Sequence, residues 1–191
     1  MSRPGARSIE RRAQYLQIVG LYATARQPER AARLLSSVAP GDSVMSSDGF
    51  SGAVHGAAAE IALARGDPRT ALAEFRKADA DRTGQYLGCG HCALVDDARA
   101  FASMGAIDSA ITYFEQYLAV PMARRYDADP FELPQVEKQL AELYDNRGDT
   151  RRAIAHYAVL MQLWKGADPD LLRVVSAVRN HVAELLTREA H

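Results

Sequence analysis

The stretch Pro134–Lys165, PQVEKQLAELYDNRGDTRRAIAHYAVLMQLWK, decides the fold. In its first half Val136, Leu140, Leu143 and Tyr144 recur at three- and four-residue steps, which on a helix makes one apolar stripe. Gly148 follows, where a helix end can adopt positive φ at little cost. Asp149 and Thr150 can then accept hydrogen bonds from the free amides of a second helix, which carries Ala153, Ile154, Tyr157, Leu160, Met161 and Trp164. Ala153 lies five residues after the glycine and Tyr157 nine, so the two share a face, with the small residue permitting close approach and the ring filling the gap beside it.

The same offsets recur upstream. Gly105 is followed by Ala110 and Phe114, Gly66 by Ala71 and Phe75, and Arg26 by Ala31 and Leu35. The anchors 26, 66, 105 and 148 are 40, 39 and 43 residues apart. A near-constant period of this size signals a solenoid, because one helical pair cannot bury its own apolar face and must stack on a neighbour.

These positions resemble the tetratricopeptide (TPR) repeat. Leu140, Ala141, Tyr144, Gly148, Ala153 and Tyr157 match its pattern in the last copy, and Leu94, Ala98, Phe101, Gly105, Ala110 and Phe114 in the third, where Asp97 departs from it. The second copy has Ala62 in place of an aromatic, and the first lacks the glycine. The resemblance implies an all-α, right-handed α-solenoid of about four TPR-like hairpins, near 9–37, 53–78, 92–119 and 134–165, plus a C-terminal capping helix at 170–188. Residues 1–8 read as a disordered N-terminus and 9–191 as a single domain. Ser-, Gly- and Asp-rich loops are expected at 36–52 and 79–91, and a charged, aromatic loop at 121–134, the segment best suited to contacts off the stack. Asp108 reads as the cap of the helix that follows it.

Composition narrows the function classes. With 23 basic and 24 acidic residues the net charge is −1, so no global field favours nucleic acid or an anionic membrane. No apolar run approaches the roughly 20 residues that span a bilayer, and MSRPGARSIERR lacks the apolar core of a signal peptide, so a soluble segment without membrane contact is expected.

The chemical candidate is Cys89-Gly90-His91-Cys92, just before a helix whose amides would favour a thiolate at Cys89. It allows a thiol-redox switch, a local disulfide or a pair of ordinary thiols. As a zinc site it supplies half of a tetrahedral set, and His55 or a second chain would have to complete it. The βαβ context of a thioredoxin-like fold is missing, and no nucleophile motif appears, so no catalytic residue, metal or cofactor is expected. His156 and His181 read as surface or interface side chains.

Segments from Cys89 through GAIDSA (105–110), LYDNRGD (143–149) and LWKGADPD (163–170) are similar to the C-terminal repeat region attached to certain bacterial serine/threonine protein kinases. That likeness implies a sensory or docking appendage, cytoplasmic, or extracytoplasmic if its kinase is membrane-anchored. In TPR solenoids the first helix of each pair lines the concave face. Carried onto this chain, the resemblance picks Leu16, Glu60, Leu63, Val95, Arg99, Gln135, Lys138, Glu142 and Asp145 as a groove for a protein or peptide partner, with homodimerisation a further option.

Overall fold

The computed structural model of the chain describes residues 6–39, 51–80, 92–126 and 128–189. The expectations for residues 1–5, for the loops at 40–50 and 81–91, and for Cys89 and His91 lie outside the described residues. Among the described residues the chain forms ten helices and no strand. They are α1 (Ala6–Thr24), α2 (Pro28–Val38), α3 (Ser51–Ala64), α4 (Pro68–Ala80), α5 (Cys92–Ser103), α6 (Ile107–Ala119), α7 (Met122–Arg125), α8 (Asp129–Arg147), α9 (Thr150–Leu163) and α10 (Pro169–Glu189). None of these helices is long and apolar enough to cross a membrane.

The positions read from the sequence as turn anchors share one backbone geometry. Gly66, Gly105 and Gly148 have φ of 76°, 72° and 82°, and Arg26 has φ 55° although it carries a side chain. At each anchor the next residue's amide reaches back five residues: Gln27 to Tyr22 at 2.8 Å, Asp67 to Ala62 at 2.9 Å, Ala106 to Phe101 at 3.0 Å and Asp149 to Tyr144 at 2.9 Å. This is the Schellman closure, which satisfies carbonyls at a helix end and turns the chain sharply. Asp67 and Asp149 then cap the following helices, accepting from the amides of Thr70 at 3.1 Å and Arg152 at 3.2 Å. All four alanines at the fifth position, Ala31, Ala71, Ala110 and Ala153, are fully buried. The ninth position places Phe75, Phe114 and Tyr157 in the core, while Leu35 is half-buried.

The chain divides into two compact units, Met1–Ala106 and Ile107–His191. In the first, α1 packs on α2 and α3, α2 on α3, α3 on α4, and α4 on α5. Helix α3, SGAVHGAAAEIALA, is apolar on nearly every side and is buried to match, its Gly and Ala residues letting neighbouring backbones approach. One face joins Leu16, Val19, Ala23 and Ala31 through Val54, Ala57 and Ile61, and the other packs Ala59 and Ala62 against Ala71 and Phe75. In the second unit α8 packs on α6 and α9, and α9 on α10. Its core joins Phe114 and Tyr117 of α6, Val136, Leu140 and Tyr144 of α8, and Tyr157 and Leu160 of α9. Val175, Val178 and Leu185 of α10 are buried, whereas Leu186 is exposed.

Three local expectations need correction. The segment 121–134 is largely helical, because α7 occupies Met122–Arg125 and α8 begins at Asp129, five residues before Pro134. The Ala128 carbonyl accepts from Phe131 and Glu132, both at 2.9 Å, and Pro130 stands near the helix start where its missing amide costs nothing, so Pro134 falls inside the helix. Asp108 is not a cap: the Schellman turn closes at Ala106, the helix starts at Ile107, and Asp108 sits in its first turn, 3.0 Å from Arg147 Nη1. Helix α1 also begins at Ala6, three residues earlier than expected.

Candidate interaction surfaces

The expected groove residues fall into buried and solvent-facing sets. In the first unit Leu16 and Val95 are core residues, and Leu63 packs against the cluster around Phe75. Glu60 and Arg99 stand six residues before their turn anchors, at equivalent positions of successive hairpins. They meet in a two-pronged ion pair, Nη1 to Oε1 at 2.8 Å and Nη2 to Oε2 at 3.2 Å, with Asp96 Oδ1 3.4 Å from Arg99 Nη1. That geometry is the strong form of an Arg–carboxylate contact and fixes how α3 and α5 present this face.

In the second unit Gln135 and Glu142 are exposed and Lys138 is half-buried, with its Nζ donating to Glu142 Oε1 at 2.5 Å one turn away. Asp145 lies 2.6 Å from His181 Nε2, which joins α8 to α10. His181 stands edge-on to Tyr157, with ring centres 5.6 Å apart. Burial, with the carboxylates of Glu142 and Asp145 nearby, pushes the Tyr157 hydroxyl up to about 12. The other expected interface histidine, His156, lies 2.7 Å from the buried Glu137 and stacks on Tyr144. Tyr144 in turn donates to Glu115 and accepts from Arg152 Nη1 at 3.1 Å. Both histidines therefore fasten helices together.

The segment expected to reach off the stack is held from beneath. Arg125 is buried; its Nε donates to the Val120 carbonyl at 2.8 Å and its Nη1 to Asp129 Oδ1 at 2.8 Å. The Tyr117 hydroxyl donates to the same oxygen at 2.8 Å, and the guanidinium sits 4.9 Å above that ring. Burial and the Asp129 carboxylate together raise the Tyr117 hydroxyl well above its ordinary value. On the outside, Met122, Tyr126 and Phe131 are 73%, 68% and 79% exposed.

One surface escaped the sequence reading. A groove of about 510 Å³ lies along α1 and α2, with Tyr15, Ile18, Tyr22 and Leu34 among its apolar walls and Arg30 and Arg33 at its edge. Its signal was present in the residues: α1 carries two apolar stripes, 16/19/23 and 15/18/22, and a helix with one buried face needs only the first.

The first unit also holds an unusual carboxyl. Asp97, the departure from the repeat pattern, has a buried Oδ1 without a hydrogen-bond partner. Burial, then the nearby Asp79, push it up to about 6, only partly countered by Arg76. Of Cys89 and Cys92, only the backbone of Cys92 is described, as the first residue of α5. Among the described residues no group of three or more His, Cys, Asp and Glu is placed to hold a metal ion.

The ten helices of the described residues, their four Schellman turns and the buried alanine register define a TPR-like helical-repeat fold. Solved structures share it. A protein of Podosopora anserina built of nearly identical TPR-like repeats superposes with a TM-score of 0.64 at 16% identity, covering 94% of this chain and 87% of the other. The Q17M form of that protein gives 0.62 at 17% identity, covering 97% and 95%. No protein-family model matches the chain, and no curated protein does.

Proposed function

We propose that the chain is a non-catalytic scaffold that binds a protein or peptide segment along the polar face of its first helices. The observation that carries this reading is the bridge between Glu60 and Arg99, which sets equivalent positions of successive hairpins side by side on one surface. In the second unit the corresponding strip is Gln135, Lys138, Glu142 and Asp145. Because Leu16 and Val95 are core residues, the polar members of the set carry the recognition, with Leu63 at its margin. A face of this kind binds an extended segment through charge-assisted hydrogen bonds, and selects by where it places each sign.

The likeness of residues 89–186 to a kinase-linked repeat region supports a docking or sensory role in bacterial signalling, in whichever compartment the parent protein places this segment. The test is a random-peptide display selection on the purified chain, followed by calorimetry with the enriched peptides. The reading expects saturable binding that weakens about tenfold or more when Lys138→Glu and Glu142→Lys are combined, since each reverses the sign a ligand meets. Enriched peptides whose affinity ignores these changes and Arg99→Glu would count against it.

A further inference from the structure

Within the first unit, α1 presents its stripe Leu16, Val19 and Ala23 to α3, and these residues are buried. The neighbouring stripe Tyr15, Ile18 and Tyr22 points into the groove, with Tyr15 39% and Ile18 38% exposed. From α2, Arg30, Arg33, Leu34 and Ser37 line the same groove at helical spacing, so its two walls are continuous along one face of each helix. This shape accepts the apolar side of one more helix or short extended segment.

Its charge specifies the occupant. Among the described residues the charged groups lining the groove are both arginines, and no carboxylate lines it. Arg30 Nη1 donates to the neutral Gln27 at 2.9 Å, and neither Arg30 nor Arg33 is paired with a carboxylate among the described residues. The nearby Glu29 is turned to Arg65, both of whose contacting nitrogens lie 3.1 Å from its carboxylate oxygens. The surrounding sequence carries the same sign: residues 1–34 contain seven arginines and two glutamates, in a chain whose net charge is −1. An apolar trough edged by uncompensated guanidinium groups fits an acidic amphipathic segment and repels a basic one.

We propose that the α1–α2 groove docks an acidic amphipathic segment of a partner protein, its apolar side against Tyr15, Ile18, Tyr22 and Leu34 and its carboxylates on Arg30 and Arg33. The site is separate from the polar strip of the proposed function, so either can fail alone.

The experiment uses the full chain and three labelled synthetic peptides of about 18 residues, an amphipathic helix long enough to follow the groove. One carries Leu and Ile on one face and Glu on its flanks, the second replaces Glu with Gln, and the third with Lys. Fluorescence anisotropy should give saturable binding of the Glu peptide, about tenfold weaker binding of the Gln peptide, and none of the Lys peptide. Affinity for the Glu peptide should fall steeply with added salt. The double variant Arg30→Glu/Arg33→Glu and the single variant Ile18→Ser should each lose it while keeping the helical circular dichroism of the parent, and Lys138→Glu should leave it intact.

The proposal is overturned if the three peptides bind alike, if none binds, or if the double variant binds unchanged. It is also overturned if sedimentation finds that the chain self-associates through this face, seen as a dimer abolished by the same double variant, because the occupant is then a second copy.

Discussion

The two units use one set of rules and finish differently. In the second, α10 lays Val175, Val178 and Leu185 onto the preceding hairpin, and its buried polar groups meet partners: Glu137 meets His156, and Arg125 meets Asp129. In the first, the opening hairpin keeps an apolar groove among its described residues, its turn forces an arginine into the left-handed region, and the half-buried Asp97 has one buried oxygen unsatisfied. The comparison teaches that repeats built by the same rules can cover an apolar surface in one unit and leave one open in the other.

The largest expected effect tests how tightly the second unit is closed. Ala153 is fully buried beside Tyr157, so Ala153→Leu should cost about 1–3 kcal/mol through overpacking, read by thermal or urea unfolding. Ala31→Leu in the first unit should cost less, because its ninth-position neighbour is the half-buried Leu35. Equal losses would erase the distinction between the two hairpins.

Two carboxyls should respond with opposite signs. The Asp97 carboxyl stands near 6 in the folded chain against 3.8 ordinarily, so the folded state holds its proton longer than the unfolded one. Its contribution is therefore fullest below pH 3.8 and is lost as pH rises to about 6, leaving the protein destabilised at neutrality. Asp97→Asn should raise stability at pH 7.5 by about 1–2 kcal/mol, the value after allowing for solvent screening of a half-exposed group, and should change little at pH 3.5. In the second unit, Glu137→Gln should instead cost about 1 kcal/mol, because it weakens the contact with His156. The urea midpoint at the two pH values checks both, and a destabilising Asp97→Asn would show that its carboxylate is satisfied after all.

The smallest effect concerns the turns. Arg26→Gly should stabilise by about 0.5–1 kcal/mol, since glycine adopts positive φ without the cost borne by a side chain, partly offset by greater freedom in the unfolded state. Gly148→Ala should destabilise by about 1 kcal/mol for the converse reason; nothing lies within 4 Å of the added carbon, so the backbone alone sets the cost. Differential scanning calorimetry of the pair checks the sign of each.

Much of the fold was legible because turn geometry and close packing both act on residue size. Only a small residue fits where Ala71, Ala110 and Ala153 sit, and glycine adopts a left-handed backbone most cheaply, so both constraints are written directly into the sequence. Arg26 shows the limit of that signal: the turn forms without glycine, and only the period and the offsets to Ala31 and Leu35 mark it. The start of α8 was missed because a proline in the first turns of a helix resembles a proline at its beginning, and Pro130 and Pro134 both qualify. Groove positions were less legible, since the repeat register says which helix a residue occupies and not how far the helix is rotated. Leu16 and Val95 consequently belong to the core, and the face formed by Tyr15, Ile18, Arg30 and Arg33 exists only once α1 and α2 are packed. Pairings such as Asp145 with His181 join residues 36 apart, a separation that no local pattern encodes.

The division between an open and a closed unit is tested most directly by assigning the backbone amides and titrating the Glu-bearing amphipathic peptide while following their chemical shifts. Shifts that saturate together and are confined to α1 and α2, around Tyr15, Ile18, Tyr22, Arg30 and Arg33, are the predicted result. Perturbations centred on α8, α9 or α10, or scattered over both units without saturation, would contradict it.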